Sequence, residues 1–221
     1  MANRIPIEAG EWYHCYNRGV DKRKVFLGLR DYERILILMY LAKNALPVRL
    51  FSIKNARLEK ILTGVERSDP IVEIGAYSLM PNHFHFVLRE IREGGIALFM
   101  QKVFTGYTMY FNQKSGRTGA LFAGTYKSKH VANDVYFKYL ISYVHINAAE
   151  LFEPTWKDGV GDIREMEKNL LRYPYSSLLE FTGQERPQKH LLDASVFELF
   201  DHVPSIRQML KEARAYENLP F

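Results

Sequence analysis

The stretch Ser78–Glu90, SLMPNHFHFVLRE, limits the fold more than any other part of the chain. Pro81 presets a turn dihedral, and Asn82 tolerates left-handed geometry. The runs on either side, IVEIGAYSL at 71–79 and HFHFVLR at 83–89, therefore read as two antiparallel strands joined by a tight turn at Met80-Pro81-Asn82. A strand points alternate side chains to the same face. His83 and His85 must then project together, while Phe84 and Phe86 face the other way into a core.

The segments around this hairpin fall into a simple order. Residues 11–18, EWYHCYNR, are rich in aromatics and lead into the basic loop GVDKRKVF, which suits a first strand. RDYERILILMYLAKNA spaces Ile35, Leu36, Leu38, Met39 and Leu41 as a helix, with Asp31 as its N-cap. Within 48–69, NARLEKIL reads as a short helix and TGVERSDP as a turn-rich connection. A second main helix runs through Leu98, Phe99, Val103, Tyr107 and Tyr110 and ends in a basic, glycine-bearing loop. GALFAGTYKSKHVA is extended, and NDVYFKYLISYVHINAAEL is a third main helix capped by Asn133 or Asp134.

The order β-α-β-β-α-β-α predicts an α+β fold: a ferredoxin-like split βαβ antiparallel sheet with helices on one face and the other face open to a ligand. Residues 1–150 are assigned to this domain. Residues 151–221 are assigned to a C-terminal helical tail packing on it, with short helices in RYPYSSLLEFTG and LDASVFELF.

Composition narrows the classes of function. With 221 residues, 47% of them hydrophobic, the chain can bury one sizeable core. The single cysteine, Cys15, excludes an intrachain disulfide and a Cys-rich zinc site and fits a reducing compartment, so the expected location is cytoplasmic. No apolar run approaches membrane-span length, and MANRIPIEAGEWYH lacks the apolar centre of a signal peptide, so no membrane association is expected. A net charge of +5 and a pI near 9.1 favour polyanionic partners. The basic residues cluster at Arg18, Lys22, Arg23 and Lys24, at Lys114 and Arg117, and at Lys127, Lys129 and His130.

Two imidazoles on one strand face can converge on a single cation, although an H-x-H pair alone more often marks ordinary surface or core histidines. On the third main helix, Tyr136, Leu140, Tyr143 and Asn147 share a narrow arc, because positions four apart lie on one face. If that arc lies beside the histidines, Asn147 can supply a third, amide-oxygen ligand while the Tyr143 hydroxyl points at whatever the cation holds. Otherwise the tyrosines form a stripe packed on the sheet, with hydroxyls at its rim.

The segments MPNHFHF, GRTGALFAGTYKSKHV, YFKYLISYVHINAAEL and YPYSSLLEF, in that order, resemble the single-tyrosine HUH transposases, in particular the REP-associated tyrosine transposases and their insertion-sequence-200-like relatives. The likeness runs from Trp12 to Phe181. It matches His83 and His85 to the HUH histidines, with Phe84 between them, and Tyr143 to the nucleophile; Tyr139 and Tyr136 are fallback nucleophiles. One departure is Ala148, where a proline often follows the asparagine.

The resemblance implies metal-dependent cleavage and rejoining of single-stranded DNA at hairpin-associated sites through a 5′-phosphotyrosine intermediate, with Mg²⁺ or Mn²⁺ as cofactor. Arg18, Lys22, Arg23, Lys127 and Lys129 would contact the DNA, and a homodimer is left open. Two other readings stand beside it. One is a non-catalytic RNA- or DNA-binding module on the same sheet, and the other is a metal-dependent phosphoesterase that uses water as nucleophile.

Overall fold

A computed structural model of the chain describes residues 7–46, 57–64 and 69–217. The strands are β1 (Trp12–Arg18), β2 (Val72–Met80), β3 (His83–Glu90) and β4 (Lys127–His130). They form one sheet in the order β2-β3-β1-β4, with every neighbouring pair antiparallel. With helices α1 (Leu29–Ala42) and α3 (Gly95–Ser115) in the crossovers, this is the ferredoxin-like split βαβ arrangement. The short helix α2 (Leu58–Gly64) covers the end of the NARLEKIL segment; the rest of the 48–69 reading lies largely outside the described residues.

The hairpin turn is narrower than MPN, because Met80 is still in β2 and only Pro81 and Asn82 lie between the strands. It is clamped from outside. Pro81 O accepts from the backbone N–H groups of Val25 and Phe26, and Asn82 O accepts from Gly19. Gly19 is required here, since a Cβ would lie 2.4 Å from the Arg23 carbonyl oxygen. These bonds fix the basic loop after β1 against the end of the sheet that carries the histidines.

One face of the sheet is the core. Phe84 and Phe86 are fully buried and meet Phe104 and Phe99 of α3. Asp31 is not the N-cap of α1, which begins after Gly28. From the first turn, the buried Asp31 carboxylate accepts from the Leu27 N–H, the Tyr110 hydroxyl and Lys114, so it ties α1 to α3.

The opposite face is crossed by α4 (Asp134–Ile146), whose Phe137 ring packs 5.1 Å from Trp12. Asn133 is its N-cap and accepts from the Tyr136 N–H. The tail contributes α5 (Ile163–Arg172), α6 (Leu178–Phe181), α7 (Ser195–Glu198) and α8 (Ile206–Glu217). A second apolar cluster joins Met80 and Ile146 to Trp156, Met166, Leu170, Met209 and Leu210, holding α4 from behind. Ser142 donates to Glu212 over 2.5 Å, and His145 shares a 2.9 Å hydrogen bond with Ser177. The segment 173–177 also pairs with the outer edge of β2: Leu79 N–H donates to Tyr175 O, Ser177 N–H to Tyr77 O, and the Tyr173 hydroxyl to Leu79 O. Among the described residues, no helix is long and apolar enough to cross a membrane.

Candidate nucleic-acid and metal site

The register fixes which side chains share a face. Tyr16 lies opposite His85, Arg18 opposite His83, and on the far side of β1 Lys129 lies opposite His14 and Lys127 opposite Tyr16. His14, Tyr16, Arg18, His83, His85, Lys127 and Lys129 therefore line one surface. The His83 and His85 rings stand perpendicular with centroids 5.2 Å apart, both on the side facing α4. Tyr143 sets its ring edge-on to His85 at 5.5 Å and to His14 at 6.0 Å. The side chain of Tyr143 is half-buried.

Asn147 follows the last residue of α4 and keeps helical dihedrals, so it stays on the Tyr143 face. Its Oδ1 lies 2.8 Å from His83 Nε2, while the other ring nitrogen, Nδ1, lies 2.7 Å from Asn82 Oδ1. Burial lowers the affinity of His83 for protons, with the Asn147 contact and the Glu150 charge working in the opposite direction. A neutral imidazole has a single N–H. With the amides oriented this way, His83 can donate to one of the two oxygens; the other faces a ring lone pair. Donation from Nδ1 to Asn82 leaves the Nε2 lone pair aimed at Asn147 Oδ1.

That juxtaposition suits a cation. Ligand atoms at right angles around a small divalent ion with bonds of about 2.1 Å lie about 3 Å apart. His83 Nε2 and Asn147 Oδ1 stand 2.8 Å apart, within that spacing, and the His85 ring centroid lies 5.2 Å from that of His83. Among the described residues there is no cluster of three or more His, Cys, Asp and Glu side chains with metal-binding spacing. His85 is buried and lowered well below the ordinary imidazole range, first by desolvation and then by the neighbouring His14 and His83.

Beside the histidines lies a cavity of about 550 Å³, lined by Tyr16, Arg18, Lys22, His83, His85 and Lys127 among others. Lys22 reaches it from a loop in which Asp21 and Lys22 both hold left-handed dihedrals, φ 54° and 56°. Each costs about 1–2 kcal/mol for a residue with a Cβ. Arg23, grouped with them in the sequence, turns back instead: its Nε donates to Val20 O and its guanidinium pairs with Asp21. Lys129 lies beyond the cavity lining, next to His14, and its charge adds to the burial that pushes His14 down to about 3.

The sequence reading missed His14. It is 3% exposed, with Nε2 2.8 Å from His85 Nδ1. Tyr16, also missed, stacks on His85 at 5.7 Å with 20° between the ring planes. The period-two alternation of EWYHCYNR carried both, since it places His14, Tyr16 and Arg18 on one face. Glu150, one turn beyond Asn147, also lines the cavity, and nothing in its sequence context marks it.

No protein-family model and no curated protein matches this chain. Among solved structures it is similar to one described as a REP-associated tyrosine transposase bound to a REP hairpin. The identity is 12% and the TM-score 0.50, over 85% of this chain and 89% of that one. The likeness is one of fold: an antiparallel α+β sheet with helices and a helical C-terminal part.

Proposed function

We propose that the protein cleaves and rejoins single-stranded DNA at hairpin-associated sites by metal-dependent transesterification, with Tyr143 as nucleophile. The supporting observation is the meeting of Tyr143 with His85 and of Asn147 with His83 on one sheet face, beside a cavity lined with Arg18, Lys22 and Lys127. The fold is shared with a transposase whose structure holds a REP hairpin, which supports the choice of DNA substrate.

In this reading His83, His85 and Asn147 hold Mg²⁺ or Mn²⁺, and the bound ion supplies Lewis-acid polarisation of the phosphate. Tyr143 attacks the scissile phosphorus, forms a 5′-phosphotyrosine bond and releases a 3′-hydroxyl. Because the phosphodiester energy is kept in the tyrosyl bond, a 3′-hydroxyl can reverse the step without a nucleotide cofactor. α4 holds the phenol ring rigid, being capped by Asn133 at one end and held from behind by α8. Arg18, Lys22 and Lys127 neutralise phosphates along the cavity, Lys129 extends the basic rim, and Tyr16 offers a ring to an unpaired base. Residues 1–150 carry this chemistry, and residues 151–221 support the tyrosine helix. The reaction belongs to the cytoplasm, where the buried Cys15 stays reduced.

The test is incubation of end-labelled hairpin DNA bearing a single-stranded flank with the full chain and Mn²⁺, followed by denaturing electrophoresis. A protein–DNA band that survives denaturant is expected. Cleavage without such a band points to water as nucleophile, and binding without cleavage points to a non-catalytic module. A second expectation concerns salt. The logarithm of DNA affinity falls with the logarithm of salt concentration, by about 0.7 for each phosphate neutralised on a single strand. Arg18→Ala and Lys127→Ala should each flatten that slope by about this amount. Fluorescence anisotropy between 50 and 300 mM NaCl, concentrations on the order of those that separate ionic from other contacts, reads it directly.

A further inference from the structure

His14 lies outside the residues assigned to the proposed chemistry, yet it is the most deeply placed ionisable group on that face. It is 3% exposed, and its Nε2 is 2.8 Å from His85 Nδ1. The two rings lie side by side, centroids 5.1 Å apart with 26° between their planes, which aligns the two nitrogens. Tyr16 and Tyr143 close around the pair, their rings 4.8 and 6.0 Å from His14.

In a pair of neutral imidazoles joined by one hydrogen bond, one ring donates and the other accepts. Which nitrogen of His85 carries its proton is set by the partner that its other nitrogen meets. If His14 accepts, His85 has its proton on Nδ1, and Nε2 is left with a lone pair directed away from His14. If His14 donates, the proton of His85 sits on Nε2, which then cannot ligate a cation. His83 shows the same device from the other side of the site, with Asn82 Oδ1 2.7 Å from Nδ1. His83 thus presents Nδ1 to Asn82 and Nε2 to Asn147, and His85 likewise presents Nδ1 to a fixed partner, His14.

We infer that His14 is a positioning residue: it accepts the Nδ1 proton of His85, fixing the tautomer and ring angle in which His85 Nε2 can bind a divalent cation. This rests on the metal site proposed above. In metal proteins generally, loss of a partner that orients a ligating histidine weakens metal affinity about 10–100-fold.

Long-range ¹H–¹⁵N correlation spectra of the metal-free, histidine-labelled full chain should show His85 protonated on Nδ1 and bare on Nε2. In calorimetric titration with Mn²⁺ alone, His14→Phe should bind about 10–100-fold more weakly than the unmodified chain. His14→Gln, whose Oε1 can occupy the place of Nε2, should recover most of that loss. A proton on His85 Nε2 overturns the inference, and so does a His14→Phe protein that binds Mn²⁺ undiminished. The spectrum decides the matter on the unmodified protein even if His14→Phe does not fold. His83→Ala separates the two levels: it should abolish Mn²⁺ binding, and undiminished binding there overturns the metal site itself and this inference with it. Loss in His83→Ala with no loss in His14→Phe leaves the site standing and removes only the role of His14.

Discussion

Tyr143→Phe should eliminate the covalent protein–DNA band, lowering strand cleavage by more than about 10³-fold, because it removes the one oxygen that forms the new bond. The substitution keeps the ring that packs edge-on against His85 at 5.5 Å and against His14 at 6.0 Å. The half-buried position and the aromatic contacts survive, so the unfolding midpoint in urea should move little. That separation of activity from stability is what makes the variant informative. Tyr139 and Tyr136 sit on the same helix, one and two turns nearer its N-terminus. An adduct that persists in Tyr143→Phe and disappears in Tyr139→Phe or Tyr136→Phe would reassign the nucleophile. Cleavage that continues with no adduct in any of the three would favour an attacking water.

The second large effect is on stability. Phe86→Ala should cost about 3–5 kcal/mol in urea or guanidinium unfolding. Phe86 is fully buried, 4.6 Å from the Phe84 ring and in contact with Phe104 and Phe99 of α3, so little of the resulting void can close. It also alternates with His85 on the same strand, so the packing that seats Phe86 is what turns the imidazole outward. A loss below about 1 kcal/mol would mean that the core face is not formed as described.

The hairpin was readable because two local signals agreed: a proline turn and strict alternation of His and Phe. The strand order was readable because the pattern of helices and strands admits few sheets of this size. The placement of α4 was a different matter. Its periodicity states that Tyr143 and Asn147 share a face, but only long-range packing decides which face of the sheet they meet. α5 and α8 went unread although each carries an apolar stripe between charged residues, Ile163, Met166 and Leu170 on α5 and Ile206, Met209, Leu210 and Ala213 on α8. Asp31 looked like a cap because aspartate is common there, whereas burial beside Lys114 and Tyr110 gives it a cross-helix role. Arg23 shows the limit of reading charge clusters along a chain, since it turns back to Val20 and Asp21 while its neighbour Lys22 lines the cavity. His14 was hidden in plain alternation: its partner lies 71 positions away, and only the β1–β3 register brings them together.

The pairing of residues 173–177 with β2 bears on how the protein can be dissected. A version ending at residue 150 would strip the hydrogen-bonding cover from Tyr77 and Leu79 and leave a raw sheet margin, a template on which copies stack into aggregates. The helical C-terminal part is therefore better probed by changing side chains on α8 than by shortening the chain.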